Sequence, residues 1–235
     1  MLIHNVFDVL ALISAVLVSR WFRRRYPDGR PTGFANRPVA LYHAYLIALL
    51  LGLVVGGLLF GTLNLHLAGR PGIAKSMLGG VFGAIVAAEA FKVFAGIRQS
   101  TGLYFVPGLI MLIVVGRIGC FLAGLPDFTY GTPTTLPWGV DFGDGIHRHP
   151  VQLYESLTML AFLIVLLLSY PRRAAFWQRQ GFYVFVMVYA GQRFLWEFLK
   201  PYPPVLVGLN LFHWLCLALL LYAVFMLKRS LPRVE

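Results

Sequence analysis

Seven stretches of this chain, near residues 5–21, 39–63, 77–97, 103–123, 151–170, 182–199 and 205–227, stay apolar over lengths close to the roughly 17 to 25 residues with which a helix crosses a bilayer. Lipid offers the backbone no hydrogen-bonding partner, so stretches of this kind are held to the helix. The composition agrees: 59% of the 235 residues are hydrophobic and 12% charged, and the mean hydropathy of +0.75 lies outside the range of soluble domains. The fold expected is all-α, a polytopic membrane protein whose transmembrane helices form one integral domain over residues 1–235. The longest non-helical segment lies near 124–150, and a loop of that length in a compact protein is more often a working part than a spacer.

In a soluble chain the net charge of +11 would suggest nucleic acid. Here most of it comes from arginines flanking the apolar stretches, so no nucleic-acid partner is expected. Thirteen Lys and Arg fall in one set of connections, those holding Arg20 to Arg37, Arg98, Arg172 to Arg179 and Lys228 to Arg233. Four fall in the alternate set: Arg70, Lys75, Arg148 and Lys200. Such an excess marks the cytoplasmic face. The amino terminus is therefore expected outside, the carboxyl terminus in the cytoplasm, and the 124–150 loop facing outward. No basic residue precedes the first apolar stretch, whereas Arg20, Arg23, Arg24 and Arg25 follow it, the reverse of a secretory signal.

Gly52/Gly56, Gly57/Gly61 and Gly79/Gly83 stand four apart, the spacing at which small residues let helix backbones approach in lipid. Charges inside apolar helices are costly and need a partner or a task. Glu89 and Lys92, three apart, can neutralise each other. Tyr189, Arg193 and Glu197 form one polar stripe, which must point at protein or at water. Arg117 and Glu155 bracket the outer loop with no opposite charge at helical spacing in their own helices. They either pair across the fourth and fifth segments, or Arg117 serves a phosphate, for which a guanidinium is suited. His147 and His149 flank Arg148 just before the fifth segment and are candidate acid/base groups. Cys120 and Cys216 read as ordinary thiols rather than a disulfide. The chain holds no CxxC, no metal-ligand spacing and no phosphate-binding glycine loop, so neither a cofactor nor a metal is expected.

Four blocks, in order, resemble one family. Gly116-Arg117-Ile118-Gly119, Thr135-Leu136-Pro137-Trp138-Gly139, Arg148-His149-Pro150-Val151-Gln152-Leu153-Tyr154-Glu155 and Tyr189-x-x-x-Arg193-Phe194-x-x-Glu197-Phe198 look like the signature blocks of bacterial prolipoprotein diacylglyceryl transferase. The likeness runs over roughly residues 77–200. It implies a transferase of the bacterial cytoplasmic (inner) membrane that moves the diacylglyceryl group of phosphatidylglycerol onto the lipobox cysteine of a preprolipoprotein, releasing glycerol phosphate. The implied partners are a phospholipid donor and a preprolipoprotein signal peptide. Thiol attack on the carbon bearing the phosphate builds charge on the leaving group while a proton leaves sulfur, so an arginine at the phosphate and a base near the thiol are required. Arg117 and Arg193 fit the first role, and Glu155, His147, His149 and Asp127 complete the candidate catalytic set. Gly79, Gly80, Trp138, Arg148, Gln152, Tyr154, Tyr189 and Glu197 are candidate substrate contacts, with Trp138 at interfacial depth.

The chain departs from the family pattern at several polar positions. Leu78 stands where the family has a histidine before its Gly-Gly pair, Cys120 replaces an asparagine, and Ala123-Gly124-Leu125 stands for Asn-Gly-Glu. With Leu78 unable to take a proton, the base is expected among His147, Asp127 and His149. Two other readings stay open: a relative that uses a different acceptor or another phospholipid headgroup, and a non-catalytic lipid-binding or transport protein on the same scaffold.

Overall fold

The structure, a computed structural model, describes residues 2–26, 32–34 and 36–230. Arg30 and Arg233, which the charge count used, lie outside the described residues. Among the described residues seven α-helices follow the apolar stretches: α1 (Leu2–Arg25), α2 (Val39–Leu67), α3 (Met77–Phe94), α4 (Val106–Ala123), α5 (Val151–Ser169), α6 (Ala174–Glu197) and α7 (Leu211–Ser230). Two short strands, β1 (Val140–Asp141) and β2 (His147–Arg148), pair antiparallel. The expected all-α architecture is what forms.

Among the described residues, six of the helices are long and apolar enough to cross a membrane. The exception to the seven expected is α6, which is 24 residues long but carries Gln178, Arg179 and Gln180 near its start and Gln192, Arg193 and Glu197 near its end. It also begins at Ala174 rather than near 182. The last helix begins at Leu211, not near 205, because the chain must turn first. Pro203 and Pro204 lack backbone donors, Val205 N–H bonds to Leu209 C=O at 2.8 Å, and Val207 and Gly208 take positive φ. Asn210 then caps α7, its Oδ1 accepting from the N–H groups of Phe212 and His213 at 3.0 and 3.1 Å.

The chain divides into two compact units. In the unit built from residues 29–101 and 202–222, α2 and α3 form an antiparallel pair through their glycines. A methyl group at Gly56 would strike the carbonyl oxygen of Gly79, and one at Gly83 that of Gly52. Glycine is required there because the two backbones touch, which is the packing reading of the four-residue spacing. Ser76 caps α3, accepting from Gly79 N–H at 3.1 Å. Lys92 Nζ reaches Glu89 at 2.9 Å, and the Tyr222 hydroxyl donates to the same carboxylate at 2.7 Å. That pair is therefore self-neutralised within this unit.

The other unit holds α1, α4, α5, α6, the loop between α4 and α5, and the end of α7. α1 runs antiparallel along α4: Gly119 leaves room for Phe7, Gly108 for Ser19, and Arg23 donates to the Tyr104 hydroxyl at 2.7 Å. α4 buries Val106, Ile110, Ile113, Val114 and Arg117, one stripe at helical spacing. α5 answers with Val151, Gln152, Glu155, Ser156 and Met159. The Ser156 hydroxyl fixes the register between the two by donating to Val114 C=O at 3.0 Å.

Candidate active site

Arg117 and Glu155 sit on the facing stripes of α4 and α5, and their side chains meet: Arg117 Nε lies 2.6 Å from Glu155 Oε2. From α6, Arg193 bonds to the other oxygen of Glu155. The same guanidinium reaches Glu197, one turn along, at 2.9 Å. A third cation arrives from the chain just beyond α6, where Lys200 Nζ stands 2.6 Å from Glu155 Oε1. None of the five is open to solvent, with exposures from 0% for Glu155 to 7% for Arg117. Three cations around two carboxylates leave a buried surplus of one positive charge.

The pairing of Arg117 with Glu155 across two helices is therefore present, and Arg117 and Arg193 converge on one carboxylate. Their common partner is Glu155, whose oxygens are occupied by cations. Tyr189, fully buried, lies one turn before Arg193 on α6, and the expected stripe of Tyr189, Arg193 and Glu197 points into protein. Lys200 was not among the residues singled out from the sequence. Its signal was there: Arg193, Glu197 and Lys200 are spaced four and three, one continuous helical face. Pro201 hid it by suggesting that the helix had already ended, whereas Lys200 N–H still bonds to Glu197 C=O at 3.1 Å.

The base candidates separate. Asp127 lies in a short 3-10 turn after α4 and accepts from the Thr129 hydroxyl, which is 3.4 Å from Gln152 Nε2. The Asp127 carboxylate also hydrogen-bonds the Cys120 thiol, one turn beyond Arg117 on α4. Asp127 is thus linked to α4 and, through Thr129, to α5, two of the three helices that carry the ion cluster. His147 is exposed on β2. His149 Nδ1 lies 3.4 Å from the Tyr154 hydroxyl, which accepts a 2.8 Å bond from Trp138 Nε1.

Arg148 is committed elsewhere. Its guanidinium forms a two-pronged clasp on Asp144 at 2.6 and 2.7 Å and lies over the Tyr130 ring at 5.2 Å. That clasp, with the Asp141 carboxylate accepting from the N–H groups of Gly143, Asp144 and Gly145, shapes the hairpin. The Arg148 bond holds the Asp144 carboxyl below its ordinary value, and the Gly143 N–H does the same first for Asp141. Gly79 and Gly80 belong to the other unit, in the α2 contact described above.

The sequence profile of the family described as prolipoprotein diacylglyceryl transferase matches residues 4–229. A phosphatidylglycerol–prolipoprotein diacylglyceryl transferase of Polynucleobacter asymbioticus is 29% identical over 97% of this chain and 90% of its own length. Proteins of the same name from Cupriavidus pinatubonensis and Solidesulfovibrio magneticus are 30% and 32% identical, covering 96% and 99% of this chain and 92% and 98% of their own. The match spans both units and all four sequence blocks, and the chain belongs to the prolipoprotein diacylglyceryl transferase family.

Proposed function

We propose that this membrane protein transfers a diacylglyceryl group from phosphatidylglycerol to the cysteine thiol of a lipoprotein precursor. The names of its relatives supply the donor and the class of acceptor. The observation that carries the reading is the buried surplus charge. Two carboxylates hold three cations in place, and the one positive charge left over is what a phosphodiester, with its single negative charge, neutralises. Arg117, Arg193 and Lys200 hold the phosphate; Glu155 and Glu197 are the counter-ions that fix their geometry. A non-catalytic lipid carrier would need only the first of these two groups and no proton acceptor beside it.

In the reaction the precursor sulfur attacks the glycerol carbon that bears the phosphate. A sulfur–carbon bond forms, the carbon–oxygen bond breaks, and glycerol phosphate leaves with the electron pair. The negative charge that builds on the leaving oxygens is stabilised by the preorganised cations. The sulfur proton goes to Asp127, the base candidate tied by hydrogen bonds to α4 and α5. The donor is drawn from the outer leaflet of the bacterial cytoplasmic membrane and the acceptor cysteine lies in a lipobox. The protein is a single integral domain with the amino terminus and the α4–α5 loop outside. Impermeant thiol labelling of intact cells should mark a cysteine at Thr132 and spare one at Arg173; the reverse pattern inverts the orientation.

The test of function is transfer from labelled phosphatidylglycerol to a precursor peptide by the purified chain. Arg117→Ala should abolish it, and Asp127→Asn should lower it by the roughly 10²- to 10⁴-fold typical of a lost general base. His147→Ala should leave it near wild type. Full activity in Asp127→Asn would remove Asp127 from the mechanism, and absence of transfer by the wild type would defeat the reading.

A further inference from the structure

One helical position from the ion cluster, α6 buries a second polar group that the ions do not use. Gln192 is 7% exposed, and neither its Nε2 nor its Oε1 finds a hydrogen-bond partner among the described residues. Trp196 stands one turn further along the same side of α6, and its Nε1 is likewise buried without an acceptor. The Trp196 ring lies 5.1 Å from that of Tyr154, centroid to centroid. Tyr154 adjoins Glu155 on α5 as Gln192 adjoins Arg193 on α6, so this group borders the cluster on both helices.

A buried amide or indole N–H without a partner is destabilising, and Leu and Phe would fill the same space without that cost. The donors and acceptors on offer define what would satisfy them. Gln192 presents one of each, and Trp196 presents a donor only. A phosphate, which only accepts, leaves the Gln192 oxygen unmet. The glycerol end of a headgroup carries hydroxyls of both kinds but no apolar side chain to lie against the rings. An extended peptide offers C=O and N–H in alternation together with side chains that pack on Tyr154, Trp196 and Trp138.

We propose that Gln192 and Trp196, walled by Tyr154, bind the peptide backbone flanking the acceptor cysteine, beside the cluster that takes the phosphate. This subsite rests on the diacylglyceryl-transfer reading and assigns the acceptor's position within it. The residues bind and orient; none exchanges a proton or forms a bond with the substrate.

The experiment is steady-state transfer by the full chain in lipid nanodiscs of varied phosphatidylglycerol content. The acceptor is a synthetic peptide with a single cysteine after an apolar segment. Gln192→Leu removes the amide, and Trp196→Phe removes the indole N–H while keeping a ring against Tyr154. Loss of one such bond should raise the peptide KM by about 10-fold in each variant, with kcat and the phosphatidylglycerol KM changed by less than about twofold. Should Gln192→Leu fail to fold, Trp196→Phe decides alone. Unchanged peptide KM in a variant that still transfers overturns the subsite and leaves the function standing. A rise in the lipid KM instead assigns these groups to the headgroup and overturns it too. If the wild type itself does not transfer, the function and the subsite fall together.

Discussion

Replacing Glu155 with Gln removes the one carboxylate that Arg117, Arg193 and Lys200 share. The cluster would then hold three cations against Glu197 alone, and its surplus would rise from one positive charge to two. Breaking a buried ion pair by deleting one partner costs ~3–5 kcal/mol, because the remaining charge stays buried and uncompensated. Gln keeps the volume and one carbonyl acceptor, so the lower end, ~3 kcal/mol, applies. In a chain of this size each kcal/mol moves the unfolding midpoint by ~2–4 °C, which gives a drop of ~6–12 °C. The assay is a thermal unfolding scan of wild type and Glu155→Gln in the same detergent, with and without glycerol phosphate. An anion that enters the cluster supplies the missing charge, and at ~100 times its dissociation constant it returns ~2.7 kcal/mol, nearly the whole loss. The recovery should be larger in the variant than in wild type, since its surplus is larger. A midpoint within about 2 °C of wild type would refute Glu155 as the counter-ion of three cations. A loss that phosphate leaves untouched would refute the cluster as an anion site.

Burial, with Arg193 second, holds the Lys200 amine down to about 8, so kcat/KM for the lipid should fall as pH rises through about 8, and Lys200→Arg should move that fall to higher pH. Because this folded value lies below the ordinary 10.5, folding favours the neutral amine, and stability should rise over the same interval while activity falls, as parallel unfolding scans would record. Gly56→Val should separate α2 from α3, because the added carbons meet the Gly79 carbonyl, and lower the thermal unfolding midpoint, while Gly116→Ala, with nothing within 4 Å of the added carbon, should leave the midpoint near wild type. The Asp144–Arg148 clasp contributes order to the hairpin above the ordinary carboxyl value of about 3.9; that order should be lost as pH falls through the lower value Asp144 has in the fold, seen as faster amide exchange over 140–148 after correction for intrinsic rates, and Asp144→Asn should give the fast exchange already at pH 6.

The helices were legible because lipid leaves an apolar stretch one conformation, and the glycine pairs were legible because close backbone approach has one spacing. What misled was polarity inside the membrane. Among the described residues α6 is the α-helix that falls short of the apolar length needed to cross a membrane, and it carries Arg193 and Glu197 of the ion cluster, so the hydropathy that delimits the other helices blurs at its start near Gln180. Lys200 was lost at the opposite end, where Pro201 reads as a stop one residue later than the working side chain. Pairing was the other limit: Arg117 and Glu155 could be named from sequence as unpartnered, yet only the fold shows that a single carboxylate serves three cations. Among the base candidates the sequence gives no contact, so His147 and Asp127 looked alike until one proved exposed and the other bonded to Thr129.

The loop between α4 and α5 is sewn to the end of α6. Thr132 N–H bonds to Leu199 C=O at 2.6 Å, Thr132 C=O accepts from His149 N–H at 3.1 Å, and Thr134 N–H bonds to His147 C=O at 2.9 Å. Leu199 precedes Lys200, so the hairpin's root and the third cation share one short stretch of backbone. The two ends of the hairpin are therefore unequal as sites for engineering. A tag or fluorophore grafted at the tip, near Gly143 and Gly145 where positive φ already marks a turn, hangs free of that seam. A single residue inserted between Thr132 and Thr134 shifts the ladder by one, turns each side chain to the opposite face, and drags the lysine's anchor with it.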